Sequence, residues 1–388
     1  MNPKNVRLFY ILEAVLALLS GTILPVYVVY FRHFGVTLLE VALLASVFEA
    51  SIILFELPTG LFADRYGRKL STAAGFLLFG ISGLIFFHFR GFAGFLVAEI
   101  VFGIAETFIS GALEALAVDS FDTEKREKSL SRLFSNRTAV RTAASLAGMI
   151  GGGLLAKYYL PILFIPIIAL GFVGLVVSQF LTETSRNRTD DSTTNIKGSL
   201  KSLHHSIRAN RIIMAIFAVG VLANLVFEGA DQYWQVLFGE IRKIDVAYFG
   251  FFTAVGALLT LVFVRFSEYY YNRLGSYLIA CFISIAVLLW VMPRVSNNYA
   301  INALVAYFLF KELIRPALST HLNRQYKGPN RAAFLSGYNM ICSVGEVFAG
   351  VIIGLLASQF GVPIVFYSGA VVAIAVPAIY LTLAKKLA

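Results

Sequence analysis

The chain has 388 residues, of which 58% are hydrophobic and only 14% charged, with 35 phenylalanines. A soluble domain carries about 25% charged residues, so this balance excludes a soluble enzyme and implies an integral membrane protein. The net charge of +10 does not imply a nucleic-acid partner, because the basic residues lie in short loops between apolar runs, where they set topology.

Twelve apolar runs are long enough to cross a bilayer as helices, over 8–31, 37–58, 69–89, 92–118, 138–157, 161–182, 212–237, 246–267, 274–293, 298–320, 332–357 and 361–384. The first, Leu8 to Phe31, is too long for a leader's apolar core and has no small-residue cleavage site after it. It is expected to remain as a span. Twelve spans put both termini on one side. With both assigned to the cytoplasm, six of the 32 basic residues fall outside: Arg32, Arg90, Lys157, Arg242, Lys243 and Arg294. Lys311 and Arg315 fall within span ten, and the remaining 24 lie inside. This positive-inside asymmetry predicts a multi-pass protein with both termini cytoplasmic; a bacterial plasma membrane, with membrane lipids around the spans, is the expected location.

Several function classes have little support. Cys281 and Cys342 lie inside apolar runs, so no disulfide framework is implied. No G-x-x-x-x-G-K-[ST] loop marks an ATP-hydrolysing domain. His33, His88, His204, His205 and His321 sit at loops or helix ends and form neither a metal spacing nor a nucleophile triad. No enzyme, cofactor or metal is expected.

One stretch organises the rest. Gly60-Leu61-Phe62-Ala63-Asp64-Arg65-Tyr66-Gly67-Arg68-Lys69 reads as a charged, glycine-punctuated hairpin between spans two and three. Gly60 and Gly67 would permit close helix approach and a tight reversal. From spacing alone it is equally a polar turn carrying topogenic charge. The pattern G-x-x-x-D-R-x-G-R-K resembles the signature between helices 2 and 3 of the major facilitator superfamily. The resemblance implies an all-α integral membrane fold of twelve transmembrane helices in two pseudo-symmetric six-helix halves. It also implies a monomeric secondary transporter of small molecules, with Gly60, Asp64, Arg65, Gly67 and Arg68 helping to set its conformational equilibrium.

Residues 183–211 form the only long polar stretch. They are expected to be a cytoplasmic linker joining an N-terminal half, 1–182, to a C-terminal half, 212–388. A surface helix could form around Leu200 to Ile207. Six spans on each side predict an internal repeat. Asn272, Arg273 and Gly275 answer to Asp64, Arg65 and Gly67 as an eroded second copy of the signature, with Glu268 in place of Gly60.

Ionisable groups at bilayer depth cost several kcal/mol each and usually face a cavity or a partner. Here they are Glu13 in span one, Glu49 and Glu56 in span two, and Glu99, Glu106 and Glu114 in span four. Glu228 and Asp231 lie in span seven, Glu312 in ten and Glu346 in eleven. Glu99 and Glu106, seven apart, share a helix face; Glu228 and Asp231, three apart, share one with Gln235. Glu114 and Asp119 are expected to pair with Arg137, Arg141 or the cations of 125–128, and Glu312 with Lys311 or Arg315. Glu56 is expected to support the hairpin. Glu106, with no local cation in sequence, is the first choice as proton carrier, with Glu99, Glu228, Asp231 and Glu346 also candidates.

In the superfamily fold helices 1, 4, 7 and 10 line the central cavity. By resemblance, Glu13, Tyr27, Phe102, Glu106, Glu228, Asp231, Tyr233, Trp234 and Glu312 are the candidate substrate-binding residues. Acidic and aromatic groups together suit a lipophilic cation, although membrane aromatics more often pack or face lipid.

The chain also departs from the superfamily's drug exporters. Glu99 stands where many carry an arginine four residues before Gly103. Gly148 to Gly153 keeps the glycines of their G-P-x-x-G-G element without its proline. The leading expectation is a proton-coupled antiporter exporting lipophilic or cationic compounds, a multidrug-type efflux protein. The alternative is a proton symporter or facilitator for a polar metabolite such as a sugar, for which the deep polar groups are few: Asn224, Gln232, Gln235 and Asn339. A channel or non-transporting receptor is a third reading.

Overall fold

The computed structural model describes residues 3–121, 126–183, 210–326 and 331–385, and every regular element in them is a helix. The long elements are α1 (Pro3–Ile23), α2 (Tyr27–His33), α3 (Leu38–Tyr66), α4 (Arg68–His88), α5 (Phe92–Val118), α6 (Arg126–Tyr158) and α7 (Phe164–Gln179). They continue with α8 (Arg211–Val236), α9 (Phe249–Ser267), α10 (Leu274–Val291), α11 (Asn297–Gln325), α12 (Arg331–Phe360) and α13 (Val362–Lys385). In a bilayer only helices or closed barrels satisfy every backbone group, and these sequences take the helical route.

Among the described residues, eleven helical stretches are long and apolar enough to cross a membrane. The twelfth expected span is α11. Its early Asn297, Asn298 and Asn302 and its Lys311–Glu312 pair make it less apolar than the others. The first expected span is broken after Ile23, ahead of Pro25, into α1 and α2. A proline cannot continue a ladder of helical hydrogen bonds, and Pro25 falls at that break. The linker residues 184–209, with the surface helix proposed around Leu200, lie outside the described residues.

Contacts group the chain into two compact units, Met1–Asn187 with Ile244–Ala254, and Arg188–Lys243 with Val255–Ala388. In the first, α1 packs on α6, α4 on α5 and α7, and α3 on α5. In the second, α8 packs on α12 and α13, and α10 on α11 and α13.

Local sequence fixes several helix starts. Thr37 caps α3 in a capping box: its side chain accepts from the Glu40 amide at 3.3 Å, and Glu40 accepts from the Thr37 amide at 2.7 Å. Asn210 caps α8, accepting from the amides of Ile212 and Ile213 at 2.9 and 3.3 Å. The α1–α6 crossing depends on small residues. A Cβ at Gly152 would lie 2.0 Å from the Thr22 carbonyl oxygen, and one at Gly148 2.6 Å from that of Leu18. The glycine run of span five is therefore a close helix contact.

The signature stretch is not a hairpin. α3 continues through Pro58 and Gly60 to Tyr66, and the chain reverses at Gly67 alone, with φ +104°. That backbone is strained for any residue with a Cβ. A Cβ on Gly60 would meet nothing within 4 Å, so the close approach expected there is not made. In the second copy, Glu268–Arg273 forms a 3₁₀ turn that leads directly into α10, and Gly275 keeps an ordinary helical φ.

Candidate functional site

Each unit carries charged side chains at the depth of its apolar helices. In the first, Glu13 of α1 is 2% exposed and faces two arginines of α6. Arg141 Nη1 donates to its Oε2 at 2.6 Å, and Arg137 Nε lies 2.7 Å from its Oε1 as an ion pair. Arg137 Nη1 also donates to Glu114 Oε2 at 2.7 Å, which is the pairing the sequence predicts for Glu114. Asp119 pairs instead with Arg68 at the start of α4. Glu106 is not remote from cations: Arg141 acts on it electrostatically, opposed by Glu13.

Glu99, one face of α5 with Glu106, is 1% exposed, and neither of its carboxyl oxygens has a hydrogen-bond partner. An ionised carboxylate so placed would be costly, whereas a protonated one is tolerated. The turn end of this unit is cross-tied. Glu183, just beyond α7, accepts from the amides of Arg68 and Lys69, both at 2.9 Å, and Lys69 Nζ donates to the Gln179 carbonyl at 2.6 Å. Asn5, fully buried, accepts from the Thr182 amide at 3.0 Å and donates to its carbonyl at 2.9 Å. Asp64 and Arg65 lie on the exposed side of the last turn of α3, where Arg65 covers the Tyr66 ring at 5.3 Å.

The second unit holds a cavity of about 160 Å³ between α8, α11 and α12. Four carboxylates border it: Glu228 and Asp231 from α8, Glu312 from α11 and Glu346 from α12. Lys311 and Arg315 of α11 are the two cations on its wall. Asp231 is fully engaged, accepting from Lys311 Nζ and, at 3.0 Å, from the Tyr307 hydroxyl. Lys311 also lies 3.7 Å from Glu312. Gln232 donates to Glu228, and Glu346 borders the same cavity from α12. Asn224 reaches Glu346 Oε2 at 3.5 Å while donating to the Cys342 carbonyl at 2.9 Å.

Of the candidate substrate residues, Glu228, Asp231 and Glu312 therefore share one cavity with Glu346. The aromatics are placed differently. Tyr233 and Trp234 are buried, with Trp234 packed against Phe238 and Phe308. Phe102 packs between Phe48 and Phe79, and Tyr27 against Phe31. The aromatic that borders the cavity on α8 is Phe227, joined by Tyr338 of α12. Sequence reading did not foresee Tyr307 and Lys311 as partners of Asp231, 76 and 80 residues away. Nothing local marks such pairs.

The comparisons agree with this architecture. A family model for the Major Facilitator Superfamily matches residues 9–311. The chain is 23% identical over 391 residues to the "Uncharacterized MFS-type transporter YxaM" of Bacillus subtilis (strain 168), covering 98% of this chain and 96% of that one. It is 26% identical over 350 residues to "Multidrug resistance protein 2" of the same organism, covering 87% and 84%. The solved structure of the nucleoside transporter NupG aligns with a TM-score of 0.83 over 99% of this chain and 100% of that one, at 13% identity, a likeness of fold. With its apolar helices, its signature stretch and a family match across most of its length, the chain belongs to the major facilitator superfamily of membrane transporters.

Proposed function

We propose that the protein exports lipophilic or cationic compounds in exchange for protons, by alternating access of its two six-helix halves. The observation that carries this reading is the acid-rich cavity of the second unit. Four carboxylates against two cations leave an excess of negative charge at membrane depth, beside the aromatic faces of Phe227 and Tyr338. Such a site attracts a cation by charge and by its aromatic faces. The resistance protein of Bacillus subtilis among its relatives supports the same direction. Protons are carried by the intramembrane carboxylates Glu99, Glu106, Glu228, Asp231 and Glu346. Substrate contacts extend to Glu13, Tyr27, Phe102, Tyr233, Trp234 and Glu312. The protein works as a monomer in the bacterial plasma membrane with both termini cytoplasmic.

A second reading has an observation of its own. Asn224 and Asn339, both expected from the sequence, border the cavity together with Tyr338 and Ser343, which were not. These suit a polar metabolite, and the fold is shared with a nucleoside transporter.

The test uses purified protein in liposomes that enclose a pH-sensitive dye. Under an imposed proton gradient, lipophilic cations should trigger proton movement, and sugars, nucleosides and amino acids should not. Proton movement with a polar metabolite alone would replace efflux with symport.

A further inference from the structure

The cavity of the second unit carries charges of both signs, and α11 supplies both of its cations, Lys311 and Arg315. Four residues apart, they share one helix face. Their circumstances differ. Lys311 is committed: its ammonium bonds to Asp231 and lies 3.7 Å from Glu312. Arg315 is exposed, and among the described residues its guanidinium makes no hydrogen bond and no ion pair. Glu312, for which sequence spacing left Lys311 and Arg315 equally available, has gone to Lys311. The charge of Arg315 reaches Glu346 of α12, but no ion pair joins the two.

A guanidinium is always charged, and its planar fork of donors matches a carboxylate two bonds at a time. Left uncommitted on a cavity wall, it is a receptor for an anionic group. The acids nearby keep the site open to a cation as well. Glu228 and Glu346 receive amide hydrogens from Gln232 and Asn224, which orient a carboxylate without neutralising it. Two rings border the same cavity and are held in place. Phe227 stacks on Phe282 with ring planes 3° apart, and Tyr338 stands edge-on to Phe217 at 5.0 Å.

From this arrangement we infer that the cavity selects amphoteric aromatic compounds and that Arg315 is its specificity-determining residue. Arg315 takes a carboxylate on the ligand, while Glu228 and Glu346 take its amine. This rests on the reading of the cavity as the cation-binding site, and narrows that reading to cations that also carry a carboxylate.

Charge decides between ligand types. A compound with an amine alone is attracted by the acids but meets the unmatched Arg315 as a like charge. One with a carboxylate alone satisfies Arg315 and is repelled by the acids. An aromatic body with an amine and a carboxylate at opposite ends answers both, and the faces of Phe227 and Tyr338 suit that body.

The experiment measures binding to the detergent-solubilised full chain by titration calorimetry with three probes of similar size. The first is 4-(aminomethyl)benzoate. The second is its methyl ester, which keeps the amine and masks the carboxylate, and the third is 4-methylbenzoate, which lacks the amine. The wild type should bind the amphoteric probe about tenfold more tightly than the ester, and 4-methylbenzoate more weakly than either. Arg315→Gln should lose that preference while binding the ester at least as tightly as the wild type does. Arg315→Lys, which keeps the charge but not the fork, should retain part of the preference. Glu346→Gln should weaken both amine probes alike. A wild type that binds the ester as tightly as the amphoteric probe overturns the role of Arg315, with no variant needed, and leaves the cation reading standing. A preference that survives Arg315→Gln overturns it too. A wild type that binds neither amine probe overturns the cation reading itself, and this inference with it.

Discussion

Glu13 is 2% exposed and is held by two arginines that are 25% and 43% exposed. Breaking a fully buried pair by removing one partner costs about 3–5 kcal/mol. Partial exposure of both cations lowers that figure, so Glu13→Gln should destabilise the protein by about 2 kcal/mol. Thermal unfolding in detergent, compared with wild type, checks this. Were the transition unmoved, Glu13 would be no anchor for α6. Glu99 poses the opposite case, since its carboxyl is buried with no partner on either oxygen. Neither setting was readable from the spacing of acids along a helix. Spacing places Glu99 and Glu106 on one face, but whether that face meets Arg141 or only apolar packing depends on helices far off in the chain.

At the scale of elements, the turn between α3 and α4 has two supports. Gly67 supplies the positive φ, and Glu183 supplies the acceptors for the first two amides of α4. Helix N-termini leave amides unpaired, and an acceptor there contributes about 1 kcal/mol. Glu183→Ala should therefore cost about 1 kcal/mol and speed amide hydrogen exchange at Arg68 and Lys69, with exchange in the middle of α4 unchanged. Equal protection in both proteins would show that the carboxylate is dispensable. The crossing of α1 and α6 allows a harsher test. A side chain at Gly152 would press on the Thr22 carbonyl, whose oxygen lies 2.0 Å from the ideal Cβ. Gly152→Val should cost about 3 kcal/mol or more, beyond ordinary overpacking, because backbone rather than a movable side chain is met. Size-exclusion chromatography should show loss of the monodisperse peak, and a normal profile would mean that the helices can separate without penalty.

For the whole molecule, the signature stretch is proposed to help set the equilibrium between conformations. Asp64→Asn should reduce substrate-driven proton movement in liposomes at least tenfold, corresponding to about 1.4 kcal/mol, with normal expression and an unchanged melting temperature. Undiminished transport would remove Asp64 from that role. The fold that frames this prediction was visible in the sequence at two levels. Low charge with long apolar runs required helices that satisfy their own backbone, and the residues from Gly60 to Lys69 pointed to the superfamily. The detail of that same stretch was misread. Its charges look like a loop, yet α3 stays helical to Tyr66, since arginine and aspartate side chains can reach polar surroundings from a helix end while the backbone remains paired.

The sequence by itself determined the class of protein, the helices and the superfamily, because these follow from composition, from apolar run length and from one contiguous motif. It also placed Glu228, Asp231, Glu312 and Glu346 among the acids worth attention. Only the tertiary structure decided what each of them meets: Lys311 and Tyr307 for Asp231, Arg137 and Arg141 for Glu13, Gln232 for Glu228 and Asn224 for Glu346. The physical reason is that a carboxyl's state depends on the charges within a few ångströms of it, and in this chain those charges arrive from helices some 80 to 130 residues away.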